Sequence, residues 1–179
     1  MKKIVFIILL SMSMGHFLLA KENGFKIYFF NRAYTGDFEL AMYDYDTTWN
    51  AFLQDADLSR ATLLIDDQDI REYRWKDQIL RISDTKIGKI YEKKAGLYQY
   101  IFIVTLNGKR MYAGRVISKK SAMAVKFPVI YYDDIYENNS LQIYPVHTTI
   151  QLEDIPGETR DITVIPAVKE HFQSVKKIK

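Results

Sequence analysis

The chain has 179 residues, of which 48% are hydrophobic, with 25 Lys and Arg against 22 Asp and Glu. This length suits a single domain with a sizeable core. The absence of cysteine excludes disulfides, thiolate metal sites and a cysteine nucleophile.

The first twenty residues have the pattern of a secretory signal peptide. Met1–Lys3 is basic, and Ile4–Ala20 carries no formal charge and begins with a dense apolar run. Because this run falls short of the roughly 20 apolar residues that span a bilayer, cleavage near Ala20 is predicted. We therefore expect residues 21–179 to form a single domain that is periplasmic or secreted. An uncleaved anchor, which would bring the domain to the membrane, is the alternative.

The signal also changes how the charge is interpreted. Two of the 25 basic residues, Lys2 and Lys3, lie in it, so that 23 remain against 22 acids. The sequence pI of about 8.9 is thus weak evidence for a polyanionic partner, and no nucleic-acid partner is expected outside the cytoplasm.

The first third of the domain predicts strands separated by one short helix. Apolar alternation indicates a strand at Phe25–Phe30, followed by a loop at Asn31–Gly36. A second strand is expected around residues 38–42, and Asp46–Thr48 is expected to cap a short helix. Ala61–Ile65 then predicts a short apolar strand.

The middle of the chain predicts two hairpins on either side of a helix. Residues 70–82 alternate around a polar turn, and the next helix is expected to begin at Ser83–Asp84 and to end at Gly96. Asn107–Gly108 supplies the two positive-φ positions of a type I′ turn, which predicts a hairpin of strands at 98–106 and 111–117.

The last third predicts one more pair of strands and a terminal helix. Pro128–Tyr132 and Leu141–Tyr144 are expected to pair around Asp133–Ser140, and Pro166 is expected to begin an amphipathic helix. Because hairpins outnumber crossover units, the pattern predicts an α+β fold. Its expected form is a mainly antiparallel sheet of hairpins with two or three short helices on one face.

Several of these segments resemble an uncharacterised group of bacterial exported proteins. They are Asp69–Trp75, Ile79–Ile82, Asn107–Gly114, and Ser118–Ser121 leading to Pro128–Ile130. The resemblance covers roughly Phe25–Tyr144 and implies no activity. The order of strands and helix, with a Gly-Lys turn, is also similar to the periplasmic head region of the SecD-type translocase subunit, which implies a non-catalytic binding fold.

A basic segment at residues 107–126 is the strongest functional signal. It contains no acid and six basic side chains, namely Lys109, Arg110, Arg115, Lys119, Lys120 and Lys126. We predict that these residues bind an anionic envelope component, such as lipid headgroups or wall polymers, or another envelope protein. Pairing of the same side chains with acids of the chain itself is the alternative.

The acidic run Asp66–Asp69 has a weaker claim to a function. Its oxygens suit Ca²⁺, but it lacks the glycine and the distal glutamate of a calcium-binding loop. A turn in which the aspartates accept hydrogen bonds from nearby backbone amides is therefore preferred.

The histidines after the signal, His147 and His171, are the remaining candidates for chemistry. A solvated or capping role is expected for His171. A small envelope-acting hydrolase would use His147 with a carboxylate such as Asp154, but no Gly-x-Ser-x-Gly motif accompanies them. The spacing of the two histidines does not suit zinc, and no catalytic residue, metal or cofactor is assigned. The sequence favours an exported, non-enzymatic binding domain, with the hydrolase as the alternative.

Overall fold

The computed structural model describes residues 23–35, 47–92, 97, 100–122, 125, 127–144 and 165–179. The strands are β1 (Phe25–Phe30), β2 (Leu63–Asp66), β3 (Ile70–Arg74), β4 (Ile79–Ile82), β5 (Ile101–Leu106), β6 (Lys109–Ile117), β7 (Val129–Tyr131) and β8 (Ser140–Tyr144). The helices are α1 (Arg32–Thr35), α2 (Thr47–Asp55), α3 (Asp84–Glu92), α4 (Tyr132–Asn138) and α5 (Pro166–Ser174), with a 3₁₀ turn at Leu58–Arg60. These elements confirm the predicted α+β class.

All eight strands belong to one sheet, in the order β2-β1-β5-β6-β7-β8-β4-β3. The pairing is antiparallel except between β6 and β7, which run parallel. The two end strands, β2 and β3, are neighbours along the chain and are joined by the short turn at residues 67–69. Because so short a turn keeps the two ends close together, the sheet curls until it is nearly closed.

The turn between β5 and β6 is the predicted type I′ hairpin. Asn107 has φ 51° and Gly108 has φ 77°, as that turn requires. The Asn107 side chain also accepts a hydrogen bond from the Gly24 amide at 2.9 Å, which attaches the start of β1 to the hairpin.

The larger core lies on the inner face of the curled sheet. Alternate residues of all eight strands contribute to it, for example Phe102 and Val104 of β5. Helices α3, α4 and α5 add their buried side chains to the same cluster, including Ile87, Ile135 and Phe172. Helices α3 and α5 thus lie on one face of the sheet, as predicted, whereas the predicted helix at Thr47 (α2) packs on the opposite face.

A second apolar cluster lies on the opposite face of β1, β5 and β6, beneath α2. The ring centroids of Trp49 and Phe127 lie 4.4 Å apart. The ring of Phe52 packs edge-on against that of Phe30, with 5.5 Å between the centroids. As a result every residue of β5 is buried, since its alternate side chains enter the two clusters in turn.

Two local differences from the sequence prediction have clear causes. The segment expected to be a loop after β1 contains α1, because Asn31 accepts a hydrogen bond from the Tyr34 amide at 3.0 Å and caps a short helical turn. The connection between β7 and β8 is helical, with acids in the first turn of α4 and Asn139 in the left-handed conformation after it. The strand expected around residues 38–42 and the helix end at Gly96 lie outside the described residues.

Across the described ranges, no helix is both long enough and apolar enough to cross a membrane.

Gly114 lies in β6, close to Pro128 and Phe102, and this close packing predicts that a larger residue would destabilise the fold. A Cβ at this position would overlap the Pro128 carbonyl oxygen and lie 2.8 Å from Phe102 Cε1. We expect Gly114→Ala to lower the free energy of unfolding by about 3 kcal/mol in urea denaturation, because neither neighbour can easily move.

Gly88→Ala is the matched control. Gly88 lies in α3, and a Cβ added there has no atom within 4 Å. This change is expected to raise the free energy of unfolding by about 0.5–1 kcal/mol, through helix propensity. Equal stabilities of the two variants would contradict the close packing around Gly114.

Candidate binding pocket

The structure does not bring the six basic residues of the predicted surface into one patch. Lys109 and Lys120 are both exposed, but they lie at opposite ends of β6. At a rise of about 3.3 Å per residue, the strand separates them by roughly 30 Å. Lys126 lies outside the described residues.

Arg110 of this set makes structural contacts. Its guanidinium donates to the carbonyl oxygens of Leu53, Gln54 and Ala56, at distances of 2.7–2.8 Å. The last carbonyls of a helix have no partner within it and carry partial negative charge. Arg110 therefore caps the C-terminal end of α2 and holds this helix against the sheet.

Arg115 and Lys119 also face groups of the chain itself. The Arg115 guanidinium carbon lies 5.9 Å from the centre of the Trp49 ring, within cation–π range. The Lys119 ammonium lies 2.5 Å from Asp134 Oδ1 and 4.0 Å from Glu137 Oε2. Pairing within the chain was the alternative that the sequence left open, and a partner for the basic segment stays a prediction.

The role of Arg110 can be tested against Lys109, its neighbour in β6. We expect Arg110→Ala to lower the free energy of unfolding by about 2 kcal/mol, because three helix carbonyls lose a charged donor. Lys109→Ala, at the exposed adjacent position, is expected to change it by less than about 0.5 kcal/mol. Both free energies of unfolding are to be measured by urea denaturation followed by circular dichroism. An equal effect of the two changes would argue against the capping role.

The acidic run at residues 66–69 forms the hydrogen-bonded turn that the sequence favoured over a Ca²⁺ site. Asp66 Oδ1 accepts from the Gln68 amide at 2.9 Å, and Asp69 Oδ2 accepts from the Asp66 amide at 3.1 Å. Asp69 also forms an ion pair with Lys86 at 2.8 Å. Among the described residues, no group of three or more His, Cys, Asp and Glu side chains is placed to hold a metal ion.

His171 lies in a different environment from the solvated or capping one that was expected. Its side chain is only 12% exposed, and its Nε2 atom lies 2.9 Å from both carboxylate oxygens of Asp67. The ring also packs edge-on against Phe172. This histidine therefore joins α5 to the turn between the end strands of the sheet. His147 and Asp154, which the hydrolase alternative requires, lie outside the described residues.

A polar pocket of about 360 Å³ opens on the outer face of β3, β4 and β8, against α4. It is lined by Arg74, Ile79, Arg81, Asp134, Asn138, Ser140 and Gln142. The strand residues reach it by alternation, because Leu80 and Leu141 between them point into the inner core. In the paired register Arg81 is opposite Ser140, and Ile79 lies between Arg74 and Gln142.

Two arginines form the basic side of the pocket. Arg81 is exposed, and within the described part of the chain its side chain forms no hydrogen bond or ion pair, although its charge acts on Glu72. The closest acid to Arg74 is Asp77, at a long 3.9 Å, and the buried Nε atom of Arg74 has no hydrogen-bond partner among the described residues. The pocket thus contains guanidinium donors that the described residues do not use.

The opposite wall is a buried acid held by a hydrogen-bonded network. Asp134 is 5% exposed and is bound by Lys119. The Tyr144 hydroxyl lies 3.2 Å from Asp134 Oδ2 and 2.7 Å from Gln142 Oε1, and its single hydrogen is available to one of the two. Gln142 in turn donates to the Asp77 carbonyl at 2.9 Å. Because each polar group restrains the next, these side chains are held in defined positions before any ligand arrives.

The side chains that contact Asp134 keep their protonation states around neutral pH. The hydrogen bond to Asp134 raises the pKa of the Lys119 ammonium, which therefore stays protonated. Burial, followed by the negative charge of Asp134, raises the pKa of Tyr144 well above its ordinary value. Burial likewise raises the pKa of Tyr131. The network consequently keeps a charged lysine beside neutral phenols.

Sequence patterns offer little reason to select the residues that line this pocket. Arg74 and Arg81 occupy outward positions of a predicted hairpin, where a charged side chain is ordinary. Asp134 was placed in the connection between two strands, and its burial depends on α4 packing over the sheet. Among the described members of the predicted basic surface, Lys119 is the one that binds a residue of the pocket, Asp134.

No family model, curated protein or solved structure matches this chain. The resemblances to exported proteins and to the SecD-type head region therefore stay predictions. Function must be argued from the pocket itself.

Proposed function

We propose that the protein is exported to the cell envelope and that its folded part is a non-catalytic binding domain. Its partner is an anionic envelope component or another envelope protein, and its binding site is the polar pocket between β3, β4, β8 and α4. The observation that carries this proposal is the pair of arginines, Arg74 and Arg81, which line the pocket together with the buried acid Asp134.

The pocket has the general properties of a small-molecule site. It is concave, it is within the range of volumes usual for such sites, and its polar groups converge from different elements. Arg74 and Arg81 come from one hairpin, Gln142 from β8 and Asp134 from α4. Convergence of this kind supports recognition of a ligand more than it supports a solvated surface.

The side-chain partners of Asp134 and His171 favour a binding function over hydrolysis. Asp134 binds a lysine and a tyrosine, and His171 binds Asp67 at the closing turn of the sheet. A general base must lie within hydrogen-bond reach of the nucleophile that it activates. The described histidine thus serves the fold, and among the described residues no observation favours the hydrolase alternative, whose His147 and Asp154 lie outside them.

Export is supported by the basic, apolar and small-residue pattern of residues 1–20. We expect mass spectrometry of the protein from its native host to find a mature chain that begins near Lys21. An intact N-terminus in the membrane fraction would indicate the anchored alternative. An intact N-terminus in the cytosolic fraction would contradict export.

Binding at the pocket predicts a specific thermal response. The full chain is mixed with fractionated envelope extract, and its melting temperature is followed. A ligand that binds only the folded state raises the stability, by about 2.7 kcal/mol at a concentration a hundredfold above its Kd. We expect the melting temperature of the wild type to rise and that of Arg81→Ala to stay unchanged.

Arg71→Ala is the matched control for this experiment. Arg71 lies on the same hairpin, but its partner is the exposed Asp84 at 2.7 Å, outside the pocket. Surface ion pairs of this kind contribute little to stability, and this variant should respond to extract like the wild type. Equal responses of Arg81→Ala and Arg71→Ala would refute the pocket as the binding site.

A further inference from the structure

We propose that the pocket recognises a small carboxylate that also carries a hydrogen-bond donor, either an ammonium or a hydroxyl group. The carboxylate binds between Arg74 and Arg81, and the donor faces Asp134. This inference rests on the proposed binding function and names the class of ligand.

The register of the sheet brings the two arginines together. Arg74 is directly opposite Ile79, and Arg81 lies two residues further along β4 on the same face. Such diagonal neighbours are about 7–8 Å apart at the backbone, a distance that two long guanidinium side chains easily bridge. A planar carboxylate matches the fork of donors on a guanidinium, and two forks can share its oxygens.

The charges around these arginines leave them available to an anion. Glu72, opposite Arg81 in the sheet, binds the Lys179 ammonium at 2.8 Å. The hydrogen bond from Lys179 is the main cause that lowers the pKa of Glu72, and the charges of Arg81 and Arg74 make smaller contributions. Asp77 is 3.9 Å from Arg74 and half exposed. Arg74 and Arg81 both line the pocket, and the terminal nitrogens of their guanidinium groups are the donors that a carboxylate there would meet.

Asp134, on the opposite wall of the pocket, favours a ligand that also carries a hydrogen-bond donor. Asp134 lines the pocket, and its two oxygens accept from Lys119 and lie within reach of Tyr144. A carboxylate has about four acceptor positions, so a further donor from the ligand can be accommodated. The negative charge of Asp134 disfavours a dianionic phosphate at the same place and favours an N–H or O–H group. A ligand that has both a carboxylate and a hydrogen-bond donor therefore matches the pocket better than a simple anion.

The remaining lining suits the body of a small polar molecule. Asn138, Ser140 and Gln142 offer neutral hydrogen-bonding groups, and Ile79 offers one apolar surface. Amino acids, or the ends of short peptides, have this chemistry, and so do acidic sugars. The two sources share the carboxylate and its nearby donor, and the experiment separates them.

Calorimetric titration of the full chain tests the ligand class with defined probes. The probes are the dipeptide Ala-Ala, glucuronate, lactate, propionate, glucose and inorganic phosphate. We expect lactate, which has the added hydroxyl, to bind about tenfold more tightly than propionate. We expect Ala-Ala or glucuronate to bind more tightly than the other probes. Tighter binding of Ala-Ala would identify a peptide source, and tighter binding of glucuronate a sugar source.

Substitutions locate the binding of the tightest probe. Arg74→Ala and Arg81→Ala should each weaken it at least about tenfold, because each removes one guanidinium fork. Arg71→Ala, outside the pocket, should leave it unchanged. Circular dichroism of each variant verifies that the fold is retained.

Three results would overturn the inference. The first is a tightest probe that is glucose or phosphate, and the second is lactate binding no better than propionate. The third is binding that neither pocket arginine affects. If these probes fail while envelope extract still stabilises the wild type but not Arg81→Ala, the ligand class is wrong and the proposed function stands. If extract also has no Arg81-dependent effect, both proposals fail.

Discussion

The fold depends on the turn that closes the sheet, and Asp67 is the centre of that turn. Its carboxylate accepts a hydrogen bond from the Phe25 amide at 3.1 Å and lies 2.9 Å from His171 Nε2. Its carbonyl oxygen accepts from the Lys177 ammonium. One residue thus joins the first strand, the two end strands and the segment after the last helix. Gly24 is required beside it, since a Cβ there would overlap the carboxylate of Asp67.

Closure of the sheet also positions the pocket. The chain after α5 pairs with the outer edge of β3, where the Tyr73 amide donates to the Lys177 carbonyl at 2.7 Å. The Lys179 ammonium then binds Glu72, which lies opposite Arg81. The edge strand of the pocket is therefore held on both sides, and an acid that would otherwise face Arg81 is occupied. The same contacts that complete the sheet leave the arginines of the pocket open to a ligand.

Local sequence patterns were sufficient for most of the elements. The Asn107–Gly108 turn, the helix that begins at Thr47 and the strand pairs around the hairpins are found where they were predicted. Each of these depends on residues within one or two turns of the backbone, so a propensity or an alternation is enough to show it. The α1 and α4 helices were missed because their stability depends on caps and packing more than on a long apolar stripe.

By itself, the sequence determined the α+β class and the hairpins, since these follow from local periodicity and composition. Only the tertiary structure decided what the charged residues do. Arg110 binds carbonyls more than fifty residues away, and Lys119 meets Asp134 because a parallel crossover returns the chain to the same edge of the sheet. The two pocket arginines are brought together in the same way, by the register of β3 and β4. The partners of a charged side chain distinguish a structural role from simple solvation. When these partners are distant in sequence, strand order and sheet closure determine which residues meet.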